Sequence, residues 1–221
     1  MFKPRNLITL LVVVLLGGAC GASSSSKTID PQGARAASGF ESGAEDWTIM
    51  GDAQAASAKP DYYGTGGNPD GLISAVDDVT GGVWFFNAPA RYLGDASASY
   101  GHFLKYDLKT TDVSDPFDDF DVVLQGNGMI VVFMFTTPSN PGTNTWTSFK
   151  VQLDETAGWR VATSYDYSYF ESLLDYTSLP APSQAEFQSV LANLTLFMIR
   201  GEFNSGPDTG YLDNVRFGAT Q

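Results

Sequence analysis

The residues of this chain best suited to chemistry are its aromatics and its acids. Trp84, Phe85, Tyr92, Trp146, Trp159 and the cluster Tyr165, Tyr167, Tyr169 and Phe170 offer flat faces on which a pyranose ring can stack, with acids to bond its hydroxyls. Residues 164–176 are polar and aromatic without a period. They read as a loop or irregular hairpin at one end of a β-structure, where binding commonly resides. Tyr165, Tyr167, Tyr169 and Trp146 are therefore the candidate ligand-binding set, although the tyrosines could equally cover the edge of a sheet. Trp84 and Trp159 sit inside strand-like runs and read as core. Asp115, Asp118, Asp119 and Asp121 are close enough in sequence to suggest the paired carboxylates of a glycoside hydrolase. An acidic turn before a strand, helped by Pro116, explains them equally simply. A Ser-His-Asp triad would have to use His102, the single histidine, which lies at the start of a strand-like run. There is no phosphate-cradling Gly loop followed by Lys, no dinucleotide fingerprint and no HExxH. No catalytic residue is assigned. Asn68, Asp70, Asp77 and Asp78 lie in or beside a Gly-rich bend that can present oxygen ligands to a hard cation or merely form an Asx-type turn.

The elements that must position these groups are short strands. Leu104, Tyr106 and Leu108 alternate with Lys105, Asp107 and Lys109, and Phe149, Val151 and Leu153 alternate with Lys150 and Gln152; both patterns predict half-buried strands with one wet face. Residues 129–135 are apolar on both faces, which predicts a central strand covered on both sides. Further strands are expected near 72–76, 83–86, 121–125, 159–163, 194–203 and 211–217. So many strands at turn-like spacing predict an all-β sandwich or jelly roll. One helix interrupts them: Ser183-Gln184-Ala185-Glu186 is a capping box, followed by Phe187, Val190, Leu191 and Leu194 at helical spacing.

The chain has 221 residues, 25 acids against 12 lysines and arginines, one cysteine and one histidine, for a net charge of −13. That length fits a single domain with processed segments. The charge disfavours a nucleic-acid partner, and the cysteine and histidine counts exclude a Cys/His zinc cluster and an intramolecular disulfide. Lys3 and Arg5, the apolar residues 7–16, and Gly17-Gly18-Ala19 leading into Cys20 resemble a bacterial lipoprotein signal peptide. In that reading Cys20 becomes the lipidated first residue of the mature protein, and Gly21 directs it to the outer membrane. Gly17 departs from the large aliphatic residue usual three places before the cysteine, and an ordinary secretory signal cut near Ala19 or Ala22 is the alternative. Loss of residues 1–19 leaves ten cations against 25 acids, a net charge of −15. Residues 20–38, with Ser23-Ser24-Ser25-Ser26, Pro31 and Gly33, read as an anchor and flexible tether, and the globular domain is expected over 39–221.

Five strings, in order, carry a resemblance across residues 39–218. They are Phe40-Glu41 with Trp47; Thr65-Gly66-Gly67-Asn68-Pro69-Asp70-Gly71; Trp84-Phe85-Phe86-Asn87-Ala88-Pro89; Tyr92-Leu93-Gly94-Asp95 with Tyr100-Gly101; and Tyr211-Leu212-Asp213-Asn214-Val215. Together they resemble the laminin B domain, also called laminin IV type A. The resemblance implies a galactose-binding-like jelly-roll β-sandwich, non-enzymatic, and found as stand-alone domains in secreted bacterial proteins. The cysteine-rich modules that flank the animal domain are lacking here, so laminin-type matrix assembly is not implied. In such sandwiches the first and last strands lie side by side and an acid from each helps hold a structural Ca²⁺. Glu41 and Asp213 occupy those positions, with Asn68 and Asp70 as further ligands; the alternative pairs Glu41 with Arg200 or Arg216. The function expected is that of a monomeric envelope module, tethered by its lipid to the membrane, that recognises a polysaccharide or a surface protein. A purely structural or adhesion module and a two-carboxylate carbohydrate-active enzyme are the alternatives.

Overall fold

The computed structural model describes residues 33–51, 53, 58–77, 81–165 and 175–220. Among these, thirteen strands follow in chain order: β1 (Ala36–Ser38), β2 (Thr48–Met50), β3 (Asp61–Gly67), β4 (Asp70–Val76), β5 (Phe85–Asn87), β6 (Phe103–Thr110), β7 (Val122–Gly126), β8 (Met129–Phe133), β9 (Gly142–Thr143), β10 (Thr147–Gln152), β11 (Arg160–Ala162), β12 (Leu194–Arg200) and β13 (Thr209–Ala219). They form two sheets. One runs β10-β6-β13-β4-β3, with β1 also on β13 and β9 on β6; the other runs β11-β8-β7-β12-β5-β2. The result is a jelly-roll β-sandwich with one helix, α1 (Gln184–Ala192).

The period-2 pattern explains which faces meet. Leu104, Tyr106 and Leu108 of β6, Phe149 and Val151 of β10, Ile73 and Ala75 of β4, and Leu212, Val215 and Phe217 of β13 all enter one core with Val122, Leu124, Val131, Phe197 and Ile199 of the opposite sheet. The alternate residues of the six-stranded sheet, among them Phe85, Val123, Val132 and Met198, enter a second cluster with Phe120 on its outer side. That sheet is thus covered on both faces, which is why β8 is apolar throughout. Trp84 and Trp159 are fully buried. The capping box is formed at Ser183 and Glu186, and Phe187, Val190 and Leu191 of α1 are buried in the inter-sheet core. The ring of Phe187 packs edge-on to Trp159 at 5.4 Å.

The boundary expected at residue 39 moves toward the N-terminus. Ala36–Ser38 pairs antiparallel with Val215–Phe217 of β13, Ala34 is buried, and the Arg35 guanidinium donates to the carbonyls of Tyr92, Leu93 and Asp95. Small Ala and Ser side chains look like tether in sequence, but here backbone pairing makes the strand. Ser38 is also a hub. Its Oγ accepts from Trp47 Nε1 at 2.9 Å and from Arg91, and shares a hydrogen bond with the Tyr92 hydroxyl at 2.8 Å. The predicted signal segment, Cys20 and most of the tether lie outside the described residues.

Candidate functional site

Among the residues that do not enter the core are Lys105, Asp107 and Lys109 on β6, Tyr211, Asp213 and Arg216 on β13, and Ser148 and Lys150 on β10. The register aligns these residues in rows across the outer face of the seven-stranded sheet. Lys150, Lys105 and Arg216 make one row, and Ser148, Asp107 and Asp213 the next; Lys109 stands opposite Tyr211 in a third. Between the first two rows β13 bulges at Asn214, whose φ of 53° is in the left-handed region that Asn tolerates.

The bulge sits where two strands share one flank of β13. β1 pairs with residues 215–217 and β4 with residues 209–212. Where they meet, Gly71 lies so close to the carbonyl of Phe40 that a Cβ would stand 1.8 Å from that oxygen. The β3–β4 turn folds over this junction. The Asn68 backbone N–H donates to Asp213 Oδ2 at 2.6 Å, and its carboxamide to Asp107 Oδ2 at 3.0 Å. The Asn214 carboxamide donates to the same Asp107 oxygen at 2.8 Å and to the carbonyl of Asn68, while its backbone N–H donates to Asp213 Oδ1 at 2.6 Å. Burial pushes the Asp213 carboxyl up to about 6; those backbone N–H bonds oppose the rise, and the charges of Asp107 and Glu41 add to it.

Around this network lies a groove of 490 Å³, lined by Asn68, Lys105, Asp107, Lys150, Asn214 and Arg216 among others. Further along the face, the Lys109 ammonium is held 4.6 Å from the ring centres of both Trp146 and Tyr211. Trp146 Nε1 donates to the carbonyl of Gly66 at 3.2 Å, which ties this aromatic pair to the β3–β4 turn.

The residues expected from sequence are thus separated. Asp213 and Asn68 come together, across 145 residues of sequence. Glu41 and Asp70 are exposed, and among the described residues no three His, Cys, Asp or Glu side chains converge as a metal-binding group. Both oxygens of Asp213 accept backbone N–H donors, from Asn68 and Asn214. Arg200 does not serve Glu41: it is buried, lies 3.6 Å from Asp121, and donates to the carbonyls of Phe117 and Glu202. Of the clustered acids, Asp119 and Asp121 are buried near this guanidinium while Asp115 and Asp118 are exposed, so the suggested carboxylate pair is divided. Trp146 and Tyr165 are not on one face. Tyr165 packs edge-on against Phe85 at 5.2 Å and near Phe120 at 5.7 Å, covering the outer side of the six-stranded sheet. Tyr167 and Tyr169 lie outside the described residues. Sequence reasoning missed Asp107, Asn214, Lys109 and Tyr211 as site residues. The available signal was the wet face of β6, where Lys105, Asp107 and Lys109 alternate with core residues.

Residues 85–221 match the Laminin B (Domain IV) family. Laminin subunit gamma-1 of Xenopus tropicalis is 30% identical over 176 residues, covering 80% of this chain and 10% of that protein. Human laminin subunit gamma-1 is 31% identical over 131 residues, covering 59% and 7%. This chain therefore spans about a tenth of the length of such relatives. Among solved structures, the L4b domain of human laminin alpha-2 superposes with a TM-score of 0.49 at 13% identity, covering 65% of this chain and 78% of that one. A family 30 carbohydrate-binding module superposes with a TM-score of 0.48 at 11% identity, covering 83% and 92%. With the matched segment running from β5 through β13, including the Tyr211-Leu212-Asp213-Asn214-Val215 string, the chain belongs to the Laminin B (Domain IV) family.

Proposed function

We propose that the domain is a non-catalytic binding module that holds a polysaccharide on the outer face of its seven-stranded sheet and is tethered to the bacterial envelope through a lipid on Cys20. The observation that carries the binding reading is the pair Trp146 and Tyr211, set around Lys109 beside the groove of 490 Å³. Aromatic faces take the apolar face of a sugar ring, while carboxamides and carboxylates such as Asn68, Asn214 and Asp107 bond its hydroxyls. A sheet face is long and open, which suits a chain better than a single small sugar.

The non-catalytic reading is supported by the state of the acids. Asp213, the carboxyl of this network raised to about 6, is fully buried beneath the Asn68 turn and does not line the groove. Asp119 and Asp121 are likewise buried. A general acid and base must both reach the glycosidic bond, and these buried carboxyls are not placed to do so.

A glycan array with the purified protein, run beside a pull-down for protein partners, tests the reading. Trp146→Ala should weaken glycan retention about tenfold, the scale of losing one aromatic anchor, and Tyr211→Ala similarly. Unchanged retention in both variants removes the platform, and protein capture without glycan retention replaces it by an adhesion module. Release of the Cys20→Ser variant from the membrane fraction supports the lipid tether; continued membrane association rejects it.

A further inference from the structure

The platform reading leaves the charge of this face unexplained. Lys150 stands directly opposite Lys105, and Lys105 directly opposite Arg216, in the register of β10, β6 and β13. Like charges directly opposite one another on a sheet face are destabilising. Yet a chain with 12 cations against 25 acids sets three of its cations in one row and a fourth, Lys109, four residues further along β6. All three members of the row line the groove. Among the described residues, the ion pairs Arg91–Glu45 and Arg200–Asp121 engage neither Lys105 nor Lys150. Burial, and after it the like charges of Lys150 and Arg216, pull the Lys105 ammonium below its ordinary value.

Asp107 and Asp213 make the adjacent row, and Asp107 lines the groove together with the cations. Asp107 and Asp213 are buried and accept N–H bonds from Asn68 and Asn214, whereas Lys150 is exposed and Lys105 and Arg216 are half-buried. Lys105 and Lys150 thus bring positive charge to the groove of a molecule that is otherwise strongly acidic.

We propose that the row Lys150, Lys105 and Arg216 recognises an acidic polysaccharide, its carboxylate or sulfate groups meeting the row and its rings lying toward Trp146 and Tyr211. This rests on the polysaccharide reading above and narrows it to anionic chains. Neighbouring strands are about 5 Å apart, so the row spans about 10 Å; four residues along a strand span about 13 Å, so an extended chain of a few rings laid diagonally covers both the row and the aromatics. Anionic groups on the ligand would relieve the repulsion within the row, and because the cations are open to solvent the attraction falls with added salt.

The test uses the purified protein against four immobilised probes: polygalacturonate, dextran sulfate, uncharged dextran, and phosphatidylglycerol vesicles. Retention on one or both acidic polymers is expected at low salt, and which of the two binds decides between carboxylate and sulfate. Lys105→Gln with Lys150→Gln should weaken it about fivefold or more, the scale of two exposed ion pairs, without lowering the melting midpoint. Should that double variant fail to fold, Lys150→Glu, at an exposed position, makes the same test alone. Equal retention on acidic polymers by wild type and variants overturns the row as the site. Retention confined to uncharged dextran overturns the acidic ligand and leaves the polysaccharide reading standing. No retention on any glycan overturns both, as does retention on vesicles alone, which would make the row a lipid-headgroup contact.

Discussion

Asp107 is the residue on which the outer-face network turns. Its Oδ2 accepts the carboxamides of both Asn68 and Asn214, and so fastens the β3–β4 turn to the bulge of β13. Asp107→Ala would strand two donors. Because Asn68 is exposed and water can replace the lost bond, the cost falls at the low end of the range for an unmet partner, about 1 kcal/mol, read as a lowered urea midpoint. With the Asp107 and Asp213 oxygens facing the turn engaged by N–H donors, millimolar Ca²⁺ is expected to leave the melting midpoint where a chelator leaves it; a rise would mean that Glu41 and the turn rearrange to close on the pair, since a metal bound to the native state alone must stabilise it. Asp213 and Asn68 were legible in sequence because each sits in a recognisable string. Asp107 was not, since an acid alternating with lysines reads as an ordinary wet strand face.

At the scale of elements, the strands with strong alternation were legible and those made by pairing alone were not. β6, β10 and α1 follow from side-chain period and capping. β1 is three small residues of weak β-propensity, and all seven residues of β3 are exposed or half-buried, so neither has an apolar period to read. Both exist because a neighbour offers an edge: β13 for β1, β4 for β3. The junction they create is tight. Gly71→Ala would drive a Cβ to 1.8 Å from the Phe40 carbonyl oxygen, a backbone atom that cannot swing aside. The strand must shift, and a destabilisation of about 2 kcal/mol or more is expected in a denaturant melt, within the range for overpacking. A midpoint equal to wild type would show that the junction is looser than this packing.

For the whole molecule, pH dependence is set by buried acids, Asp213 and two that lie near one buried arginine. Burial pushes Asp121 up to about 7, with the Arg200 charge opposing the rise, and pushes Asp208 up to about 6. Both lie above the ordinary 3.8, so between about pH 4 and 7 the native state holds protons that the unfolded chain has released. Stability therefore falls as pH rises through this window and levels off above it. The melting midpoint should be several degrees higher at pH 5 than at pH 8, and Asp121→Asn should shrink the difference; a midpoint that rises from pH 5 to 8 would contradict the assignment. Arg200 itself is held by carbonyls and by the rings of Phe117 and Phe203, each centred 4.4 Å from its guanidinium carbon. Its removal would take away the positive charge that opposes the effect of burial on Asp121, so that carboxyl would rise further and stay protonated. By itself the sequence determined the two-sheet class, the helix, the core tryptophans and the family, because these depend on side-chain period and on strings of neighbouring residues. Only the tertiary structure decided the site. Strand register set three cations side by side from residues 105, 150 and 216 and brought Asp107 to Asn68 and Asn214, and such cross-strand neighbours leave no mark in local sequence because pairing partners are fixed by how the sheet closes.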